Sequence, residues 1–452
     1  MQESLSRTRP DPRAALAALL SFVFPGVGQA YNGERRLAWV LAIPTILLIV
    51  LTVLLVSIAR SAILVRLLDA RFLIGLIVLD VAFLGWRVVA IVQAYAWRER
   101  PNWRRWTTYA VAGVLLATMA MHALPAYYLG KALDTLNSVA LGGGGGNSEL
   151  QGSFGAVGVE VPVPSEHPDV SAGDRINILL VGIDWYPGRA EHLTDTMLVV
   201  SLNPVTGQTA MISIPRDLYG AILPDGRAYN AKLNSLLIRA TIDKATYPLG
   251  GVPTLKATIG RLLGIKIHYF AAINLIGFKQ AVDAIGGVRI TVTRAISDPT
   301  YNDEFANKVG YWIRPGTYTM NGHEALAYVR SRKGIGDNDF TRAARQQQLL
   351  AAIRAKLTAG SLITALPGLL DAVKTTISTD VPADQIPVLA QAVQDANVAN
   401  LQRAVIQPPI VRPATGPGGA YILVPDFPAI LALGQRLMGN GVAALPSRTP
   451  TP

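Results

Sequence analysis

Hydrophobic positions are concentrated in the N-terminal third of the chain. Three apolar segments there are each about 20 residues long, the length that crosses a ~30 Å hydrocarbon core, and they lie at residues 38–58, 72–92 and 108–129. A shorter apolar run at residues 14–27 leads into the sequence PGVGQAYNG. Because Pro and Gly interrupt this run, residues 14–31 are predicted to form a re-entrant or interfacial segment. Residues 1–131 are therefore expected to be an all-α membrane region.

The pattern changes after the third apolar segment. Residues 132–174 are rich in Gly, Ser and Pro, with consecutive glycines at 142–146. This composition is typical of a flexible tether. Residues 441–452 are expected to be a disordered tail.

Residues 175–440 alternate between strand-like runs and helical periodicity. Strands are predicted at residues 176–183, 196–202, 209–214, 269–274, 288–293, 403–406 and 420–424. Helices are predicted at residues 231–245, 254–263, 275–285, 322–328, 366–377, 383–397 and 427–438. A further helix is predicted from about Phe340, capped by Asn338 or Asp339. This mixture predicts one α/β (α+β) domain with a central mixed sheet between helical layers.

Composition and charge exclude several classes of chemistry and partner. The chain has no cysteine, which excludes disulfides, thiol catalysis and cysteine-ligated metals. Its net charge is +11, but residues 1–131 hold 14 Lys/Arg against 6 Asp/Glu, so most of the excess flanks the apolar segments. The sequence contains no helix-turn-helix signature, zinc finger or RNP-like motif, and no nucleic-acid partner is expected.

The arginines around the apolar segments predict the orientation in the membrane. If the N-terminus is cytoplasmic, nine arginines lie inside and three (Arg60, Arg66 and Arg71) lie outside. This favours a multi-pass cell-membrane protein whose residues after Gly130 are extracytoplasmic. In the second segment, Asp80 and Arg87 are interpreted as an inward-facing aspartate and a snorkelling arginine, in preference to an intramembrane polar site.

One stretch of the globular part, YVRSRKGIGDNDFTRAARQQQ at residues 328–348, is rich in cations: Arg330, Arg332, Lys333, Arg342 and Arg345. Guanidinium groups present paired donors that match phosphate oxygens, so the stretch predicts a polyanion site. The helix predicted from Phe340 would place Arg342, Arg345 and Gln346 on one face, beside an anion-attracting helix N-terminus. A solvated basic surface is the alternative interpretation.

Three other charged clusters lie where strands are predicted to end. Asp184 and Asp195 come at the ends of adjacent strands and suit a hard cation such as Mg²⁺, although two turn-forming residues would give the same pattern. Arg216 and Asp217 follow a third strand, and Lys232 and Asn234 enter a helix; ligand sites of α/β domains tend to lie at such places. The five histidines have no metal-ligand spacing, and the sequence lacks GxSxG, Walker A and GxGxxG motifs.

Taken in order, the motifs from residue 175 to 440 resemble the LytR-CpsA-Psr (LCP) domain of bacterial cell-envelope glycopolymer ligases. The matching segments are NILLVGID, TDTMLVVSLNP, ISIPRD, KLN, DAIGGVRI, GYWIRPGTYTMNGHEALAYVRSR and DFTRAARQQ. The resemblance implies a membrane-anchored, extracytoplasmic, Mg²⁺-dependent phosphotransferase. Such an enzyme moves the phosphoglycosyl part of a polyprenyl-diphosphate-linked glycan onto peptidoglycan.

The resemblance also assigns roles to residues. It implies Asp184 and Asp195 as the carboxylates near Mg²⁺, and substrate binding by Arg216, Asp217, Lys232 and Asn234. The residues it implies as catalytic are Arg330, Arg332, Asp339, Arg342, Arg345 and Gln346. In the family an apolar cavity houses the polyprenyl chain. Helices at 234–242 and 349–357 are expected to line it here, although a packed core would give the same pattern.

Two questions stay open at the sequence level. The family usually has a basic residue where this chain has Leu193, and Arg189 or His192 is a candidate substitute. Either Asp339 or Asp195 would serve as the base for an acceptor hydroxyl. The alternative functions are a non-catalytic protein that binds a lipid carrier or glycan, and a polyprenyl-diphosphate pyrophosphatase.

Overall fold

The computed structural model divides the chain into two compact units, Met1–Asp134 and Thr135–Pro452. The structure describes residues 12–58, 63, 66–97, 105–140, 175–184, 193–303, 305, 307–332, 336–356, 377–382, 385–396 and 401–439. Several sequence predictions lie outside these residues: most of the 132–174 tether, the 441–452 tail, residues 366–376 of a predicted helix, and the roles of Arg189, His192 and Lys333.

The N-terminal unit is entirely helical in its described part. Its helices are α1 (Pro12–Val23), α2 (Val27–Tyr31), α3 (Arg35–Ile58), α4 (Ala70–Ala96) and α5 (Arg105–Ala140). Three of them contain stretches long and apolar enough to cross a membrane, at Arg35–Leu55, Ala70–Ala96 and Thr107–Leu136. These stretches match the three apolar segments of the sequence.

The first two helices form a short broken segment that packs against α4. Gln29 donates from Nε2 to the Ala90 carbonyl at 2.7 Å and to Gln93 Oε1 at 2.8 Å, while its own oxygen accepts from Ser21 Oγ at 3.1 Å. Gly28 makes this approach sterically feasible, since a Cβ there would lie 2.1 Å from the Ala17 carbonyl oxygen. Each helix is too short to span the hydrocarbon core.

Asp80 and Arg87 of α4 face the interior of this unit. His122 Nδ1 lies 2.8 Å from Asp80 Oδ1, which confirms the inward-facing aspartate. Arg87 is buried, donates to the Phe22 carbonyl oxygen and lies over the Phe22 ring at 5.4 Å. The prediction that Arg87 snorkels is therefore wrong, because the broken segment supplies its acceptor inside the unit.

The C-terminal unit is a mixed α/β domain. Its strands are β1 (Ile176–Asp184), β2 (Leu193–Leu202), β3 (Thr209–Ile214), β4 (Tyr269–Asn274), β5 (Val288–Val292), β6 (Ile296–Asp298), β7 (Tyr311–Ile313), β8 (Gly316–Met320), β9 (Ile377–Thr379), β10 (Gln402–Val405), β11 (Val411–Thr415) and β12 (Tyr421–Pro425). Its helices are α6 (Leu236–Ile242), α7 (Gly251–Leu263), α8 (Leu275–Ala284), α9 (Gly322–Arg330), α10 (Asp339–Lys356), α11 (Ile386–Asp395) and α12 (Phe427–Met438).

Six strands form the central sheet in the order β10-β3-β2-β1-β4-β9. The pairs β1–β2, β2–β3 and β4–β9 are antiparallel, whereas β1–β4 and β10–β3 are parallel. The predicted mixed sheet is thus confirmed. Three two-stranded ribbons, β5–β8, β6–β7 and β11–β12, complete the described strands.

Each face of the sheet is covered by helices. Alternate residues of β1, namely Leu179, Val181 and Ile183, pack into a core with α6, α7 and α12. A second core joins β5 and β8 to α8, α9 and α10. Leu236, Leu237 and Ala240 belong to the first core, so for residues 234–242 the packed-core alternative holds.

Short elements account for most of the differences from the predicted pattern. The helix expected over residues 231–245 is a 3₁₀ turn (Leu233–Ser235) followed by α6 alone. Ile377, assigned to a helix, begins β9. Strands β6, β7, β8 and β11 were not predicted; each has three to five residues and β7 and β8 expose Trp312 and Tyr318, so apolar alternation is too brief to detect.

Candidate functional site

A cavity of about 560 Å³ lies between the sheet and helices α8, α9 and α10. Much of its lining is apolar, from Leu180, Leu198, Ile273, Phe278, Val329 and Leu349. Charged residues also line it, and we call Asp184, Asp195, Arg330, Arg332 and Arg342 the charged rim. The volume is within the usual range for pockets that hold small molecules. An apolar chamber with a charged rim suits an amphiphile with an anionic head.

The two rim carboxylates owe their placement to an irregularity in the β1–β2 pair. Asp184 pairs with Leu193 and Ile183 with Thr194, but Gly182 pairs with Thr196, so Asp195 is an extra residue in β2. Such a bulge redirects side chains at the end of a sheet. Both carboxylates consequently line the same cavity, as their positions at the ends of adjacent strands predicted.

Asp195 and Asp339 hold three arginines in a network. Arg216 donates from Nη1 to Asp195 Oδ1 at 2.8 Å, and Arg342 Nη2 lies 3.1 Å from Asp339 Oδ1. Arg342 Nη2 also donates to the Asp195 backbone carbonyl at 3.2 Å. Arg332 Nη1 lies 3.8 Å from Asp339 Oδ1. The guanidinium groups are thereby oriented by protein contacts before any ligand binds.

Arg330 occupies the opposite part of the rim. Its Nη2 lies 3.3 Å from Asp184 Oδ1, and its Nη1 donates to the carbonyl oxygens of Asn302 and Asp303 at 3.3 Å each. The guanidinium also lies over the Tyr301 ring at 5.8 Å. Tyr301, which has no recognisable sequence signal, thus helps to fix a rim cation.

Behind the rim, Arg345 holds the two ends of the arginine-rich stretch together. It is buried, pairs with Asp337 Oδ2 at 3.1 Å and donates to the Ser331 carbonyl. Ser331 Oγ donates to buried Asp298 at 2.9 Å, and the same carboxylate accepts from Arg332 N at 3.2 Å. Asp298 was missed from sequence, because it ends a three-residue strand and belongs to no motif.

Of the remaining predicted residues, Asp217, Lys232 and Asn234 support the rim without lining the cavity. Lys232 Nζ donates to buried Asp217 at 2.7 Å, and Asp217 Oδ2 lies 3.5 Å from Arg216 Nε. Asn234 acts through its backbone, donating to the Arg216 carbonyl and accepting from Thr194 Oγ1. Gln346 does line the cavity and donates to Thr196 Oγ1 at 2.8 Å. The catalytic and binding roles of all these residues stay predictions.

Burial and charge act in opposition on the pKa values of the network. Burial would raise the pKa of Asp195, but the guanidinium groups of Arg216 and Arg342 outweigh it and hold that pKa below its ordinary value. Burial lowers the pKa of Arg342 to about 10, despite Asp339 and Asp195 nearby. For Arg216, Asp195 overcomes the effect of burial and raises the pKa. At neutral pH the site therefore contains an ionised Asp195 beside charged Arg216 and Arg342.

The two rim carboxylates could form part of a metal site. Within the described part of the chain, no cluster of three or more His, Cys, Asp or Glu side chains converges. Mg²⁺, however, commonly takes only one or two protein carboxylates and completes its shell with phosphate oxygens and water. Asp184 and Asp195 share one cavity and fit such a partial set. They do not form a complete protein cage.

Fold and site together define a mixed α/β domain that carries an apolar chamber beneath a rim of arginines and aspartates. Residues 155–420 match the model of the LytR_cpsA_psr family. The chain belongs to this family, as the motif resemblance indicated.

Two curated relatives are similar to about half of this chain. The chain is 31% identical over 217 residues to polyisoprenyl-teichoic acid–peptidoglycan teichoic acid transferase TagU of Bacillus cereus, covering 48% of this chain and 64% of that protein. It is 33% identical over 222 residues to Biofilm regulatory protein A of Streptococcus mutans, covering 47% and 52%. The chain thus spans less than two thirds of these relatives.

The chain is also similar to solved structures over 59% of its length. Bacillus subtilis TagV is 23% identical, with a TM-score of 0.47, over 59% of this chain and 98% of that chain. A Streptococcus agalactiae protein is 25% identical, with a TM-score of 0.48, over 59% and 88%.

Proposed function

We propose that this protein is a membrane-anchored transferase that moves a glycopolymer phosphate from a polyprenyl-diphosphate carrier onto peptidoglycan. The observation that carries the proposal is the joining of an apolar chamber to a rim of three arginines and two carboxylates in one cavity. A polyprenyl diphosphate has the same division into a long apolar tail and a multiply charged head. The name of the Bacillus cereus relative supports this substrate class.

The rim would bind and polarise the diphosphate. Arg330, Arg332 and Arg342 present guanidinium donors to phosphate oxygens, and such charge-assisted pairs are short and strong. Mg²⁺, held by Asp184 and Asp195, would supply Lewis-acid stabilisation of the diphosphate charge. Because these arginines are held by carboxylates or backbone carbonyls, little reorganisation accompanies substrate binding.

In the transfer step, the acceptor hydroxyl oxygen forms a bond to the glycan-linked phosphorus. The bond from that phosphorus to the bridging oxygen breaks, and polyprenyl phosphate leaves with its electron pair. The hydroxyl proton goes to a carboxylate. Asp195 accepts a direct 2.8 Å hydrogen bond from Arg216, whereas Asp339 Oδ1 accepts no hydrogen bond in the described part of the chain and lies 3.1 Å from Arg342, so we assign the base to Asp339.

The proposed location is the outer face of the cell membrane. Three helices are long and apolar enough to cross a bilayer, and the arginine distribution favours a cytoplasmic N-terminus. With three spans, the α/β domain then lies outside the cytoplasm. Peptidoglycan is assembled on that side.

The test is a transfer assay with the whole chain in detergent, a synthetic polyprenyl-diphosphate-linked disaccharide, peptidoglycan strands and Mg²⁺. Arg330→Ala should lower the transfer rate by roughly 10²–10³-fold, as removal of one preorganised electrostatic donor does. Arg412→Ala, which removes an exposed arginine of β11, is the matched control and should retain activity. Chelation of Mg²⁺ should stop turnover.

The same assay separates the alternatives. Release of the glycan phosphate to water without transfer would identify a pyrophosphatase, and tight lipid binding with no turnover would identify a binding protein. A wild-type transfer rate in the Arg330→Ala variant would contradict the proposed transferase function. Arg345→Ala is a less direct probe, because breaking a buried charge pair costs about 3–5 kcal/mol of stability and Arg345 is buried.

A further inference from the structure

Helix α10 separates the charged cavity from a second and larger depression. This groove, of about 980 Å³, is lined by Phe340, Thr341, Ala344 and Gln347 of α10, by β10 and the segment after it, and by α12. The opposite side of the same helix contributes Arg342, Gln346, Leu349 and Leu350 to the first cavity. One helix is therefore the common wall of two depressions, and we call the second one the β10 groove.

Among the described residues, the β10 groove carries cations without counter-charges. Arg403 of β10 and Arg436 of α12 line it, and no Asp or Glu is among its described lining residues. Both arginines are exposed, and neither forms a salt bridge with a carboxylate in the part of the chain that the structure describes. Arg342 in the first cavity, by contrast, lies 3.1 Å from Asp339. Two unneutralised guanidinium groups in one groove favour an anionic occupant.

The floor of the groove is rigid. Buried Gln347 donates from Nε2 to Ser213 Oγ at 2.9 Å and to the Ala404 carbonyl at 2.8 Å, so it ties α10 to β3 and to the edge strand β10. The rest of the lining combines the amide side chains of Asn338 and Gln407 with apolar side chains such as Phe340 and Leu433. Mixed amide and apolar lining suits a chain that offers both hydroxyl groups and hydrocarbon faces.

The β10 groove lies next to the residues of the charged rim. Asn338 and Phe340 line the groove, while Asp339 between them contacts Arg342 of the charged rim at 3.1 Å. An occupant lying against the first turn of α10 would thus approach the rim from the side opposite the apolar chamber. The chamber suits a lipid tail, whereas the groove, with its amide and cationic lining, suits a polar polymer.

We propose that the β10 groove binds the acceptor, a peptidoglycan strand whose peptide carboxylates pair with Arg403 and Arg436; this rests on the proposed transferase function. The strand would lie across Gln347 and deliver a sugar hydroxyl past Asn338 to Asp339. Donor and acceptor then occupy opposite sides of α10 and meet at its N-terminus.

The experiment measures binding of soluble peptidoglycan strands to the whole chain in detergent, by calorimetry at low salt. The double variant Arg403→Glu/Arg436→Glu should weaken strand binding by about tenfold or more, since two exposed ion pairs are lost and reversed. Arg412→Glu, a charge reversal outside the groove, should bind as wild type does. Strands whose carboxylates have been amidated should bind the wild-type protein more weakly than unmodified strands do, because they lose the attraction to both arginines.

Binding of the lipid donor is measured in parallel. Unchanged donor affinity in the double variant, with weaker strand binding, supports the proposal whether or not transfer is detected. Equal strand affinity in wild type and double variant would overturn it. So would a loss of donor affinity with strand binding intact, because the groove would then hold the glycan of the donor. A failure of transfer in the wild type, with strand binding dependent on both arginines, would count against the proposed function alone.

Discussion

The charged rim is built from residues that restrain one another. Arg330 faces Asp184, Arg216 faces Asp195, and Arg342 faces Asp339. Guanidinium groups clustered without anionic partners would repel one another and sample many rotamers. Here each group has an anionic partner that fixes its direction, and a diphosphate can join the network through donors that those partners leave available.

Arg342 supplies a prediction about pH. Burial lowers the pKa of its guanidinium to about 10, so its charge is present at neutral pH and is lost as the pH rises through that value. Affinity for the diphosphate lipid should therefore fall in the alkaline range. In Arg342→Lys the fall should begin at lower pH, because lysine has an ordinary pKa of about 10.4 and the same burial lowers it further.

Calorimetry measures the affinity of wild type and of Arg342→Lys for the lipid at pH values between about 7 and 11. It shows whether the affinity of the variant falls at lower pH. Arg412→Lys, with an exposed side chain, serves as the control and should follow the wild-type profile. Identical profiles for wild type and Arg342→Lys would mean that Arg342 does not contact the diphosphate.

At the scale of elements, helix α10 organises the site. Its N-terminus is capped by Asn338, whose Oδ1 accepts from the backbone of Phe340 and Thr341 at 2.9 Å each. This fixes the first turn, which carries Asp339 and Arg342. Further along, Gln347 joins the helix to the sheet. The chemistry of the rim thus depends on one end of one helix.

Loss of the Asn338 cap should loosen that end. Asn338→Ala removes both acceptor contacts, and an N-cap of this type contributes about 1 kcal/mol. Amide exchange across residues 338–345 should accelerate about fivefold, measured by hydrogen–deuterium exchange of the whole chain. Asn338→Asp keeps the acceptor oxygen and should retain the wild-type exchange rate. Equal protection in all three proteins would show that other contacts hold the turn.

Sequence patterns predicted the long elements well and the short ones poorly. The predicted strand 269–274 and helix 427–438 have the observed bounds, because each carries a complete apolar period that its neighbours bury. The two short strands of the β6–β7 ribbon show no such apolar pattern in the sequence. Its residue Asp298 positions Ser331 and Arg332 through contacts between residues more than 30 positions apart. Local sequence does not encode such pairings.

The side-chain directions within the arginine-rich stretch could not be predicted from the sequence either. Motifs identified its cations, but they did not reveal that Arg345 turns inward to Asp337 while Arg342 lines the cavity. The two residues are three positions apart on one helix. Which of them is exposed to substrate depends on what packs against that helix.

At the scale of the whole molecule, two units with separate cores share one chain. The N-terminal unit depends on close backbone approach at Gly28, where a Cβ would lie 2.1 Å from the Ala17 carbonyl oxygen and 2.3 Å from Ser21 Oγ. The α/β unit depends on the six-stranded sheet. Damage to one core should therefore leave the other intact.

Gly28→Ala tests this independence. Overpacking of this kind costs about 1–3 kcal/mol, so the variant should lose monodispersity in detergent at a lower temperature than wild type. Gly75→Ala, where a Cβ meets open space, is the control and should behave as wild type. Amide exchange in residues 176–184 should be unchanged in both variants. Faster exchange there in Gly28→Ala would show that the two units stabilise each other.

The strand order has a consequence for biosynthesis. The outer strands of the sheet, β9 and β10, come after every inner strand in the chain. A nascent polypeptide that has emerged only as far as residue 376 therefore presents β3 and β4 with unpaired edges, which are templates for association with other copies. The domain is most vulnerable to aggregation just before its synthesis is complete. Prematurely terminated products would be expected to aggregate, because they lack the strands that close both edges.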